Sequence, residues 1–185
     1  GDAKRNDIGY SATGYARSLF EQWGFDSITV NPYLGMETLE PFAGYSDRGV
    51  FVLCRTSNPG SGDFQSLRVE SGELLYEVVA RRTVESNRMG GFGLVVGATY
   101  PAELVRVRAI APELPILIPG VGAQAGDLEA AVRGGCDASG AGAIVNVGRQ
   151  IVLASSGADF AAAARRVATQ IRAEINRYRP PAPTS

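Results

Sequence analysis

Histidine is absent from this 185-residue sequence. That removes the histidine-based nucleophile and base pairs of the hydrolase triads, and it leaves few ligands for zinc. Cysteine is almost as scarce: Cys54 and Cys136 stand far apart, outside any metal-ligand spacing. Cys54 lies in an apolar run and reads as core, whereas Cys136 follows two glycines and reads as a packed loop residue. Both fit a reducing, cytoplasmic setting. Neither sign of charge dominates, with 18 basic and 19 acidic residues and a net charge of -1. Nucleic acid and anionic membranes are therefore not expected partners. No apolar run approaches the roughly 20 residues of a membrane span. What remains is 45% apolar and 20% charged, the composition of one soluble globular domain with a sizeable core.

The opening residues, Gly1-Asp2-Ala3-Lys4-Arg5-Asn6-Asp7-Ile8-Gly9, set two carboxylates around one lysine. In a strand, side chains alternate faces, so Asp2 and Lys4 share a side, with Asp7 just beyond in a loop. A lysine beside opposite charge keeps its proton and is then a positioned proton donor. Taken alone, the same residues also read as a surface ion-pair cluster, which is common and contributes little to stability.

Along the chain, strand and helix signals alternate. Ser11 to Trp23 has helical spacing, with Tyr15, Leu19 and Phe20 on one face and Gly24 placed to end it. Ser27 to Asn31 is a short β-branched run before Pro32, and Met36 to Tyr45 a weaker helix interrupted by Pro41. Gly49 to Cys54 is nearly continuous in apolar residues, as in a strand buried on both faces, and it ends in the polar turn Arg55-Thr56-Ser57-Asn58-Pro59-Gly60. Glu73 to Asn87 reads as a helix with Leu74, Val78, Val79 and Val84 inside. The rhythm continues with strands at Gly93–Ala98, Pro115–Ile118 and Ala143–Val147. The helices between and after them begin at Pro101, at Asp127 as N-cap, and at Phe160, the last reaching Tyr178. Residues 180–185 read as a loose proline-rich tail after a domain spanning 1–179.

Counting Asp2-Ala3-Lys4 as the tail of a strand gives six βα units and a parallel sheet. A doubly wound open sheet and a (β/α)8 barrel both place chemistry just after strand C-termini. No Gly-x-Gly-x-x-Gly follows the first strand, which weakens the dinucleotide reading. The loops Pro119-Gly120-Val121-Gly122-Ala123-Gln124 and Gly148-Arg149 follow the last two strands, where barrels commonly hold a phosphate. A barrel fits better, short by two strands.

Four segments then carry a resemblance. Asp2-Ala3-Lys4-Arg5-Asn6-Asp7-Ile8, Thr56-Ser57-Asn58-Pro59-Gly60, Pro119 to Asp127 and Gly148-Arg149-Gln150-Ile151 occur in the order and spacing of the orotidine 5'-phosphate decarboxylase family. The chain resembles the branch typical of many bacteria, often called type 2. The resemblance implies a (β/α)8 TIM barrel, of which the chain carries roughly strands 3 to 8. A whole barrel runs to about 250 residues, and the family's first two strands have no counterpart here. With them go an aspartate that holds the ribose and a lysine of the charge network. The expectation is a truncated, cleaved or partial chain, inactive alone.

The resemblance further implies cofactor-free and metal-free conversion of orotidine 5'-monophosphate (OMP) to UMP and carbon dioxide in pyrimidine biosynthesis. Lys4 is the implied proton donor, Asp2 sits near the departing carboxylate, and Asp7 reaches into the neighbouring subunit of a homodimer. Ser57 contacts the pyrimidine, and Gln124 and Arg149 hold the phosphate. Ile8, Ser11, Pro119, Gly120 and Gly148 complete the implied substrate-binding set, Ser11 standing where the family usually has threonine. Asn6 and Ala125 replace glycines common in this branch, so altered loop geometry is expected there. Two rivals stand beside this reading. One is a sister decarboxylase or aldolase acting on sugar phosphates with magnesium, which shares the Asp-x-Lys-x-x-Asp motif. The other is a non-catalytic fragment that folds or binds only with a partner.

Overall fold

The computed structural model describes residues 1–88, 90–122 and 126–181. Five parallel strands lie in the order of the sequence: β1 Ser27–Val30, β2 Gly49–Arg55, β3 Phe92–Val96, β4 Ile116–Ile118 and β5 Ala143–Val145. Sequential order is the point that decides the architecture. Right-handed crossovers between consecutive neighbours place every helix on the same face of the sheet. A doubly wound sheet needs a reversal of strand order, and there is none among these five. The chain is therefore part of a (β/α)8 barrel.

The helices are α1 Gly9–Arg17, continued by a π-helical turn Ser18–Gln22, α2 Glu40–Ala43, α3 Gly62–Gln65, α4 Leu75–Ser86, α5 Pro101–Ile110, α6 Leu128–Gly135, α7 Arg149–Val152 and α8 Phe160–Tyr178. One face of the sheet, Ile28, Val30, Val50, Val52, Cys54, Leu94, Val96, Ile116 and Ile118, packs with Ala12, Ala16 and Phe20, Leu39 and Phe42, Tyr76 and Ala80, and Leu104 and Val107 in a single buried cluster. The other face carries Leu53, Val95, Leu117 and Ile144, which register side by side across four strands. This row lines a cavity. The apolar run of β2 is thus not buried on both faces: Val50, Val52 and Cys54 are buried, whereas Phe51 and Leu53 are half-buried against the open interior.

Three further expectations change. Residues 1–5 do not form a sixth strand. Their backbone runs beside β1, with Gly1 and Arg5 bonded to Thr29 and Asn31 and one parallel bridge between Arg5 and Val30. Lys4, at φ 48°, breaks the extended geometry. In α4 the buried residues are Tyr76, Glu77, Ala80 and Thr83, and Val84 is exposed. Glu77 accepts the backbone N–H of Leu74 at 2.8 Å, capping the helix start. Tyr15, expected on one helix face with Leu19 and Phe20, is 38% exposed. Pro41 sits in the first turn of α2, where its missing N–H costs nothing. The expected tail falls mostly on 182–185, outside the described residues; before it, Arg179 Nε donates to the Gly140 carbonyl at 2.7 Å.

The end of the sheet away from the strand C-termini is held by one side chain. Arg108 donates to the carbonyls of Gly135, Ala111, Pro112, Leu114 and Gly142, at 2.6–3.2 Å. It ties the ends of α5 and α6 to the loops entering β4 and β5. Removing it orphans several partly buried carbonyls, so Arg108→Ala is expected to cost about 2–4 kcal/mol and to lower Tm by roughly 5–15 °C. Arg108→Lys is expected to restore little of this in thermal unfolding, because one ammonium lacks the fork that reaches them together.

Candidate active site

The strand C-termini open onto a cavity of about 760 Å³. Its wall includes Asp2 and Lys4 on one side, Thr56, Ser57 and Asn58 from the loop after β2, Pro119 after β4 and Asn146 after β5. Of the residues singled out in the sequence, Asp2, Lys4, Ser57 and Pro119 are thus brought to one space. Asp7, Ile8, Ser11, Gly120, Gly148 and Arg149 stand outside that wall. Gln124 lies outside the described residues.

Lys4 Nζ pairs with Asp2 Oδ1 at 2.5 Å, with the two side chains 49% and 73% exposed. An ion pair this open adds little to stability. Its arrangement is nevertheless closely held. Thr29 Oγ1 donates to the same Asp2 oxygen at 2.9 Å and accepts the Lys4 backbone N–H at 3.0 Å. Lys4 is also the one non-glycine residue with positive φ among the described residues. That left-handed conformation costs a side-chain-bearing residue about 1–2 kcal/mol. Such strain persists where the surroundings over-determine it, and it gathers at functional sites. Thr29 is buried and is a site residue that the sequence reading passed over. Its β-branched strand context gave no hint that the hydroxyl faced the lysine.

The Lys4 side chain, by its hydrogen bond first, lowers the Asp2 carboxyl below the ordinary carboxylate value, with help from Thr29 and against partial burial. A lowered carboxylate pKa stabilises the fold above the ordinary value, and that gain fades as the pH falls through the lowered one. Lys4→Ala is therefore expected to move the Asp2 titration upward in a carbon-detected NMR pH series. An unchanged midpoint would show that the pair does not persist in solution.

The sequence set carboxylates on both sides of the lysine; the structure pairs it with Asp2. Asp7 instead accepts the Ile8 N–H at 2.8 Å. The loop between is pinned by Asn6, whose Nδ2 reaches the Asn31 carbonyl at 2.6 Å and Thr38 Oγ1 at 2.7 Å. Asn6 also accepts the Asp7 N–H at 2.8 Å. Asparagine at this position thus gives the loop fixed contacts that a glycine could not make. Asp7 is held at the start of α1, beside Ile8 and Tyr10, which are 65% and 96% exposed.

The turn after β2, which lines the same cavity as Lys4, is built on close backbone contact. A Cβ at Gly97 would meet Ser57 backbone N and Cα at 2.7 Å, so glycine alone lets β3 approach the turn. Thr99 Oγ1 donates to the Ser57 carbonyl at 3.2 Å, and Thr56 N donates to Gln65 Oε1 at 2.8 Å. On the third side, Gly148 precedes α7, whose first residue, Arg149, is exposed.

Comparison with known proteins places the chain in a family. A family model described as orotidine 5'-phosphate decarboxylase / HUMPS family matches residues 1–167. The orotidine 5'-phosphate decarboxylase of Azoarcus sp. (strain BH72) is 55% identical over 179 residues, covering 96% of this chain and 66% of that protein. The enzyme of the same name from Cupriavidus necator is 54% identical, with 96% and 65% covered. Among solved structures, Leishmania donovani OMP decarboxylase superposes with a TM-score of 0.83 at 45% identity, over 95% of this chain and 67% of that one. The chain thus spans slightly less than two thirds of these curated relatives. By sequence and by fold, this chain belongs to the orotidine 5'-phosphate decarboxylase / HUMPS family.

Proposed function

We propose that the protein carrying this chain decarboxylates orotidine 5'-monophosphate to UMP without a cofactor or metal. The observation that carries the reading is the Lys4–Asp2 pair lining one cavity together with the Thr56-Ser57-Asn58 turn. A nucleotide would enter with its pyrimidine toward Ser57 and its phosphate toward Arg149, Gln124 and the backbone of Gly120 and Gly148. Pro119 would close the ring's edge, and Ile8 and Ser11 would border the site from the loop before α1 and its first turns. In the reaction, the bond between C6 and the carboxyl carbon breaks, carbon dioxide leaves, and the electron pair stays on C6. The Lys4 ammonium, held by Asp2, would stabilise that carbanion and deliver the proton, and solvent would then reprotonate the amine. Preorganised charge of this kind is worth about 3–4 kcal/mol per well-placed group.

Asp7 would complete the site of a second subunit in a homodimer. Its own side chain stands outside this chain's cavity, and exposed Ile8 and Tyr10 flank it. The free, buried thiols of Cys54 and Cys136 suit a reducing cytoplasm.

The test is release of carbon dioxide from OMP with a chelator present, followed by the loss of orotate absorbance. Turnover under those conditions is expected. No turnover of OMP, together with magnesium-dependent conversion of a keto-sugar phosphate, would overturn the proposal in favour of the sister activity.

A further inference from the structure

Arg55 ends β2 and is only 3% exposed, although in the sequence it looks like the first polar residue of the following turn. A buried guanidinium is costly unless partnered, and two of the three nitrogens of this one have partners. Its Nε pairs with Glu103 at the start of α5, and its Cζ lies 3.7 Å from the centre of the Tyr100 ring. Nη1 donates to Ser61 Oγ, and to the Thr56 carbonyl and Gln65 Oε1 at 3.4 Å each. Each partner is itself attached to the turn. Ser61 Oγ donates to the Asn58 carbonyl at 2.7 Å, and Gln65 accepts the Thr56 N–H at 2.8 Å. Gln65 Nε2 donates to Thr56 Oγ1 at 3.0 Å. The Arg55 carbonyl accepts the Gly97 N–H at 2.7 Å, where β3 passes beneath Ser57. The register against β3 shifts between Leu53 and Arg55, so the strand end is turned out of regular pairing where the loop begins.

Buried ion pairs of this kind are seldom more stabilising than well-packed apolar residues. Their contribution is one of geometry. We infer that Arg55, clamped between Glu103 and Tyr100, is a positioning residue that fixes the Thr56–Ser61 turn and thereby sets the site's preference for a ligand carrying a pyrimidine over a bare sugar phosphate. The inference rests on the nucleotide reading proposed above. Arg55 is not among the residues lining the cavity; it acts through Thr56, Ser61 and Gln65 on the segment that carries Ser57. Among the described residues, no side-chain hydrogen bond or ion pair joins this network to the segments after β4 and β5.

The experiment compares two ligands, UMP and ribose 5-phosphate, by calorimetry on the wild-type protein and on Arg55→Lys. Lysine keeps the charge but lacks the fork and the stacking plane. Displacement of a site by about an ångström can cost on the order of 100-fold, so UMP affinity is expected to fall 10- to 100-fold. Ribose 5-phosphate affinity should stay within about threefold of wild type on the same argument. Gln65→Met, at a half-buried position, removes the Thr56 contacts and one long Arg55 contact, while Glu103 and Ser61 still partner the guanidinium. It should show the same selective loss, and it decides the matter if Arg55→Lys does not fold. Equal weakening of both ligands, or unchanged UMP binding in the folded variants, overturns the positioning role while leaving the nucleotide reading intact. A wild-type protein that binds ribose 5-phosphate but gains nothing from the pyrimidine overturns that reading and this inference with it.

Discussion

Lys4→Ala is expected to reduce decarboxylation of OMP by about 10⁴-fold, the upper range for loss of a positioned proton donor, while UMP affinity stays within a few-fold. The two effects separate because, in the proposed mechanism, the lysine acts on charge that develops only during the reaction. The carbanion at C6 is absent from the product, so the ground state loses little. The change should not unfold the protein either, since the Lys4–Asp2 pair is half exposed and contributes little to stability. It even relieves a left-handed lysine of its side chain's constraints, although alanine meets the same backbone cost at φ 48°. Single-turnover kinetics and UMP calorimetry measure the two quantities. A variant that kept most of its rate would remove Lys4 from the chemistry.

Arg149→Ala is expected to have the largest effect on binding. Arg149 is exposed at the start of α7 and has no side-chain hydrogen bond or ion pair among the described residues. Its guanidinium is therefore available for a two-pronged contact with a phosphate. Charge-assisted hydrogen bonds contribute about 1.5–3 kcal/mol each, so losing such a contact should cost about 3–4 kcal/mol. That corresponds to a roughly 100- to 1,000-fold rise in Kd for UMP. Uridine, which has no phosphate, should bind the variant as it binds wild type. Equal loss for uridine and UMP would mean that Arg149 shapes the site without gripping the anion.

These expectations could be framed because the sequence carried the fold's periodicity openly. Apolar runs of strand length fell close to all five strands, and Phe160 to Tyr178 matched the last helix at both ends. The apolar positions of β2 did not disclose that one face looks into a cavity. Phe51 and Leu53 are as hydrophobic as Val50 and Val52, and only the closing curvature of the sheet distinguishes them. The candidate site was legible where a short motif carried it, as in Asp2-x-Lys4, whose side chains do pair. What stayed hidden were the supports. Thr29 meets Lys4 across 25 residues of sequence, and Arg55 meets Glu103 across 48. A threonine in a β-branched run and an arginine at a strand end look ordinary until the parallel pairing brings their partners alongside. The two carboxylates around Lys4 misled in the same way. Spacing placed Asp7 near the lysine, but Asn6 draws the loop toward Asn31 and Thr38.

The structure of the protein with UMP bound tests the central claim most directly. C6 of the pyrimidine is expected within hydrogen-bond reach of Lys4 Nζ, with the ring edge on Ser57 and the phosphate on the Arg149 guanidinium. A nucleotide seated in the 760 Å³ cavity with C6 turned away from Lys4, or with its phosphate held elsewhere, would contradict the account.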